Sequence, residues 1–141
     1  PPGDVITPED AEKAVATAGL AVRPGDAVLF STGHGSLWYA DPAAYAAGEP
    51  RPGTALADWL VTHRVALTGC DTWSYGPVPA EDPERPFEVP QILNVRHGVF
   101  IVENLDTSEL ARDGVREFAL ILTHPKLRGA SGAWTSPIAL T

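Results

Sequence analysis

The chain has 141 residues, 44% of them apolar, which suits one ordinary domain with a real buried core. Its formal net charge of −8 argues against nucleic acid or an anionic membrane surface as a partner, and no apolar run approaches the ~18 residues of a membrane span. One cysteine, Cys70, excludes an internal disulfide and suits a reducing, cytoplasmic compartment.

The chain contains no methionine and opens Pro1-Pro2-Gly3, so it reads as a processed or excised piece of polypeptide. Thr7-Pro8-Glu9-Asp10 is a strong helix start: threonine at the N-cap, proline in the first turn, acids beside the positive end of the dipole. That helix should run through Ala18 and stop at Gly19. Arg23-Pro24-Gly25-Asp26 is a turn, and Ala27 to Thr32 reads as a strand. A short Ala-rich helix should begin at Asp41-Pro42. Thr54 to His63 has amphipathic spacing, with Leu56, Trp59 and Leu60 on one face. The strand Val65–Gly69 and a polar, proline-rich loop from Asp71 to Pro86 come next. Glu88 to His97 should be helical, with Gly98 as the residue just past its end, and Val99–Val102 a strand. A short helix near Thr107–Ala111 and strands across Phe118–Thr123 and Trp134–Leu140 complete the chain.

Helices alternating with short apolar strands predict an α/β fold with a sheet and flanking helices. The last two strands have no helix between them, which predicts a mixed rather than a purely parallel sheet. Val65, Leu67, Phe100 and Val102 are the expected core contributors from two strands of one sheet.

Three predicted strands end in polar clusters: Ser31-Thr32-Gly33-His34, Asp71-Thr72-Trp73-Ser74 and Glu103-Asn104. Ligands of open α/β sheets gather beyond the carboxyl ends of strands, so parallel neighbours would put all three clusters on one rim. The plainer alternative is that these residues are helix caps and solvated loop starts. No Gly-x-Ser-x-Gly elbow and no phosphate-cradling glycine loop is present. The four histidines, His34, His63, His97 and His124, form no close pair, and His63 and His97 suit helix C-terminal ends. Cys70 reads as a buried small residue, and Trp73 is a better pocket wall than Trp59.

The segments VRPGDAVLFSTG, GCDTWSYGP, QILNVRHGVFIVENL and KLRGASGAWTSPIAL, in this order and spacing, resemble the C-terminal half of the cyclase family. That family includes bacterial kynurenine formamidases and isatin hydrolase. The resemblance implies the C-terminal portion of a swivelling β/β/α-like domain. The histidine-rich metal motif of the family's N-terminal half is absent here, so a companion chain or segment is implied, with the assembled enzyme forming a homo-oligomer. The resemblance makes Glu103 a metal ligand or general base. It also implies a metal-binding position twelve residues earlier, here Gln91, where kynurenine formamidases carry histidine and isatin hydrolase-like members glutamine. A neutral amide oxygen suits manganese better than zinc, so one divalent metal is expected, manganese first and zinc second. The implied reaction is hydrolysis of a non-peptide C–N bond in a small amide or lactam, with Asp71, Ser74 and His34 at the rim as proton relays or substrate contacts. A non-catalytic small-molecule-binding homologue, or a structural subunit, is the alternative.

Overall fold

In the computed structural model, residues 3–141 are described, and the chain divides into two units, Pro1–Glu109 and Leu110–Thr141. The first unit begins with a two-residue strand, β1 (Val5–Ile6), and helix α1 (Pro8–Ala18). The expected cap of α1 is a reciprocal capping box. The Asp10 amide donates to Thr7 Oγ1 at 3.3 Å, and the Thr7 amide donates to Asp10 Oδ2 at 2.9 Å. Gly19, at φ 67°, closes the helix in the left-handed region.

Strands β2 (Ala27–Phe30), β4 (Leu67–Cys70) and β5 (Phe100–Val102) form a parallel sheet in the order β2-β4-β5. The register pairs Phe30 with Cys70 and Gly69 with Val102, so the carboxyl ends of all three strands lie along one edge. Between β2 and β4 come a 3₁₀ turn (His34–Ser36), short helices α2 (Leu37–Ala40) and α3 (Pro42–Ala46), strand β3 (Arg51–Pro52) and helix α4 (Thr54–Thr62). Asp41 caps α3 through the Ala44 amide, and β3 pairs in parallel with β1. Leu56, Ala57 and Leu60 of α4 are buried, and Ala57 and Leu60 join Val65, Cys70, Tyr75, Val89 and Leu93 in the core. Full burial of a leucine contributes about 1.5–3 kcal/mol.

Two details fix how closely these layers approach. Thr68 donates its hydroxyl to the Val28 carbonyl at 2.9 Å, and its oxygen lies 2.5 Å from the Tyr75 hydroxyl. At Gly69 a Cβ would lie 2.7 Å from Leu105 Cδ1 and 2.9 Å from the Val102 carbonyl oxygen, so no side chain fits in the middle of the sheet.

Helix α5 (Glu88–Pro90) continues into a π-helical turn, Gln91–Arg96, and Gly98 at φ 69° follows it as expected. The Val99 amide reaches back to the Leu93 carbonyl at 2.9 Å, satisfying the helix end. The expected core needs one correction. Val65 is buried and Leu67 and Val102 are half-buried, but Phe100 is 66% exposed. It starts β5, which is an edge strand among the described residues, so its apolar side chain has no neighbouring strand on that side.

Helix α6 (Ser108–Arg112) is followed in the second unit by an antiparallel ribbon, β6 (Ala119–Ile121) with β7 (Ile138–Leu140). Parallel and antiparallel pairing therefore both occur, in separate sheets among the described residues. The class is α/β, with a parallel sheet and flanking helices. Among the described residues no helix is long and apolar enough to cross a membrane.

Candidate functional site

The three polar clusters at the strand ends converge, because β2, β4 and β5 are parallel neighbours. Asp71, only 3% exposed, organises the segment after β2. Its Oδ1 accepts from the Thr32 amide at 3.0 Å and the Thr32 hydroxyl at 2.7 Å, and its Oδ2 accepts from the amides of Gly33 at 2.8 Å and Gly35 at 3.3 Å. A Cβ at Gly35 would lie 3.1 Å from the Asp71 backbone oxygen, which explains a glycine there. With four donors committed to it, Asp71 holds the rim in shape rather than presenting a free carboxylate.

His34 is buried in the turn that Asp71 anchors. Its Nε2 lies 3.0 Å from the Tyr45 carbonyl, which can only accept, so Nε2 carries the proton. Its ring stacks on Tyr45 at 5.0 Å between centroids. The Tyr45 hydroxyl donates to Asn104 Oδ1 at 2.5 Å, and burial pushes its pKa up to about 12, with Glu49 and Asp71 adding to the effect. Ser74 is half-buried. Its carbonyl accepts from Thr72 Oγ1 at 3.1 Å, which ties it to the turn after β4.

Glu103 and Asn104 follow β5 and are pinned to β4. The Asn104 amide donates to the Thr72 carbonyl at 2.8 Å and the Leu105 amide to the Cys70 carbonyl at 3.0 Å. Asn104 takes a left-handed φ of 55°, a conformation asparagine tolerates better than most residues. The Glu103 residue is exposed by area, yet the protein around its carboxyl displaces enough water to raise its pKa. A hydrogen bond from the Tyr75 backbone and the charge of Arg51 oppose that rise. Gln91 is exposed in the π-helical turn, and no hydrogen bond or ion pair joins it to Glu103.

A pair that the sequence reading missed lies behind this rim. Glu49 and Arg51 are both 0% exposed and form an ion pair. The Trp73 amide donates to Glu49 Oε2 at 2.8 Å, and the Arg51 guanidinium sits 5.0 Å from the centre of the Trp73 ring. Burial raises the Glu49 pKa against the pull of Arg51, and burial lowers the Arg51 pKa against Glu49. The available signal was the Glu-Pro-Arg-Pro-Gly string, whose alternating prolines suggest a turn and give no hint of depth.

Among the described residues no three His, Cys, Asp or Glu side chains converge as a metal shell. Glu103 is the anionic side chain at the end of β5, with a carboxylate that a cation would stabilise.

The Cyclase family model matches residues 1–77. The fold is similar to the crystal structure of a novel cyclase, with a TM-score of 0.79 and 28% identity over 100% of this chain and 48% of that one. It is also similar to isatin hydrolase A from Ralstonia solanacearum (TM-score 0.74, 19% identity, 98% of this chain and 53% of that one). A third structure, described as a potential metal-dependent hydrolase with cyclase activity, gives a TM-score of 0.64 at 22% identity, over 97% of this chain and 58% of that one. No curated protein matches the chain. The chain thus spans about half the length of the structures it matches.

Proposed function

The chain belongs to the Cyclase family, and from that premise we propose that it supplies one side of the active site of a metal-dependent hydrolase acting on a non-peptide C–N bond. The observation that carries this reading is Glu103, held at the carboxyl end of β5 on a rim shared with the ends of β2 and β4. A small amide or lactam is the substrate class. Glu103 is the ligand this chain would give a divalent ion, with Gln91 as a second candidate, and two donors of this kind leave most of a near-octahedral shell to a companion segment. Manganese suits a carboxylate and an amide oxygen better than zinc does. The metal, when bound, polarises the substrate carbonyl and makes water a better nucleophile.

This chain's own residues do the rest. Glu103, held at the end of β5, is placed to take a proton from the attacking water and return it to the leaving nitrogen. Asp71 keeps the backbone of Thr32 to Gly35 in place, and the His34–Tyr45–Asn104 chain holds the other flank of the rim. His34 and Asp71 are thus positioning residues, and the half-buried Ser74 contributes to the wall. The assembled enzyme pairs further into a homo-oligomer in the cytoplasm.

The test is hydrolysis of small amides and lactams by the assembled protein and its Glu103→Gln variant. The substitution removes a ligand charge and a base together, so activity should fall by about 10²–10⁴-fold or more. Full activity in Glu103→Gln would sink the mechanism and favour a binding protein.

A further inference from the structure

One peptide unit joins the buried Glu49–Arg51 pair to the backbone that carries Glu103. The N–H of the Thr72–Trp73 peptide donates to Glu49 Oε2 at 2.8 Å. The C=O of that same peptide accepts from the Asn104 amide at 2.8 Å. The Asn104 amide, in turn, belongs to the peptide whose other half is Glu103. A peptide is planar, so fixing its N–H fixes the direction of its C=O, and hydrogen bonds in such a chain strengthen one another. The next two amides follow the same plan: the Ser74 backbone bonds to Glu49, and the Tyr75 backbone to the Glu103 carboxyl itself. Glu49 is held firmly from behind. The Gly3 amide donates to its carbonyl at 3.2 Å, the Arg51 amide to the Asp4 carbonyl at 3.0 Å, and the Arg51 guanidinium pairs with its carboxylate. Stability alone does not call for ions at this depth, because apolar side chains of similar volume often replace a buried ion pair without loss. What an apolar side chain cannot do is accept the Trp73 amide.

We propose that Glu49 is a positioning residue for Glu103, acting through the Thr72–Trp73 peptide, with Arg51 holding the Glu49 carboxylate in place. Strand β5 is only three residues long. The direction in which Glu103 leaves it is therefore set by the bonds of Asn104 and Leu105 to the turn after β4. Glu49 decides whether that turn is rigid. Partners one step behind a metal-facing carboxylate orient it in this way, and their loss typically costs 10–100-fold in metal affinity. The role rests on the reading of Glu103 as a metal-facing carboxylate, whereas the hydrogen-bonded chain involves neither metal nor substrate. The two are therefore tested by different measurements.

The experiment compares Glu49→Leu/Arg51→Met with Glu49→Gln/Arg51→Met. Both lack the ion pair and both lack the charge of Arg51, but only glutamine keeps an oxygen for the Trp73 amide. Amide hydrogen exchange on the 141-residue chain is the first readout. In the leucine variant the Trp73 and Asn104 amides should exchange ~10-fold faster or more, with Thr68 in the middle of the sheet unchanged. The glutamine variant should restore both amides to within ~3-fold of wild type. Manganese titration of the assembled protein is the second readout. The leucine variant should bind manganese ~10-fold more weakly or worse, and the glutamine variant should recover most of that loss. Wild-type exchange at Asn104 in the leucine variant overturns the proposal, as does a parallel rise at Thr68, which would mean that the pair supports the whole fold. Equal effects in the two variants, or wild-type manganese affinity in the leucine variant, overturn it as well. Glu103→Gln keeps the two failures apart. Undiminished manganese affinity in that variant sinks the reading of Glu103 as a ligand, while exchange at Asn104 still decides whether Glu49 holds the backbone that carries it.

Discussion

Arg51→Met should destabilise the chain strongly, and more at high pH than at low pH. The wild-type guanidinium is fully buried, pairs with the equally buried Glu49 and lies over Trp73. Methionine keeps most of the aliphatic stem and strands the Glu49 carboxylate. Breaking a buried pair by removing one partner costs about 3–5 kcal/mol. Glu49 keeps its hydrogen bonds from the Trp73 and Ser74 backbones, which places the loss at the low end, about 3 kcal/mol. With a urea slope of about 2 kcal/mol/M, the unfolding midpoint should fall by about 1.5 M. The pH dependence follows from the direction of the Glu49 shift. Burial already raises its pKa above the ordinary 4.5, against the pull of Arg51, and loss of Arg51 raises it further. A carboxyl whose folded pKa lies above its unfolded value contributes stability that is complete below about 4.5 and lost as pH rises through the folded value. The deficit of Arg51→Met should accordingly shrink as pH falls from 8 toward 5, while Glu49→Gln/Arg51→Met should recover much of the loss and show no such trend. Urea titrations followed by circular dichroism at pH 5, 6.5 and 8 measure all of this. A single variant within 0.5 kcal/mol of wild type at pH 8, or a double variant no better than the single one, would refute the account.

Three other outcomes are expected. Calorimetric titration of manganese into this chain alone should show weak binding, with a Kd above about 100 μM, because Glu103 and Gln91 leave most of the shell unfilled; Gln91→His in the assembled protein should move preference toward zinc. Gly69→Ala should cost about 1–3 kcal/mol in urea unfolding, since the Val102 carbonyl beside its Cβ is backbone and cannot swing aside. Asp71→Ala leaves the Thr32, Gly33 and Gly35 amides without their acceptor, and should both destabilise by about 2–3 kcal/mol and speed hydrogen exchange in that segment; unchanged exchange there would contradict its organising role.

The features legible in the sequence were those set by local chemistry. Thr7, Pro8 and Asp10 announce the start of α1 within four residues, and Asp41-Pro42 does the same for α3. Three strands ending in polar residues pointed to one rim, and the parallel order β2-β4-β5 supplies the condition that reading needed. The misses belong to longer range. Phe100 looks like core in a run of four apolar residues, and its exposure follows from the edge position of β5, which no local pattern encodes. Glu49 and Arg51 look like loop charges because their burial depends on Trp73, more than twenty residues away. The π-helical turn after Pro90 shifts Gln91 relative to a regular helix, so spacing from Glu103 could not fix where its amide points.

Cys70 gives the molecule an internal clock. Its thiol is fully buried, lies 2.8 Å from the Thr72 hydroxyl, and is pushed by burial to a pKa of about 11. At pH 8 only about one native molecule in a thousand then carries a thiolate, against roughly a quarter of unfolded chains with an ordinary pKa near 8.5. Alkylating reagents, which attack the thiolate, should therefore mark almost nothing but chains that have opened the end of β4. Because Cys70 is the one cysteine in the chain, a single mass increment per molecule would record each first opening of that strand, without any engineered probe.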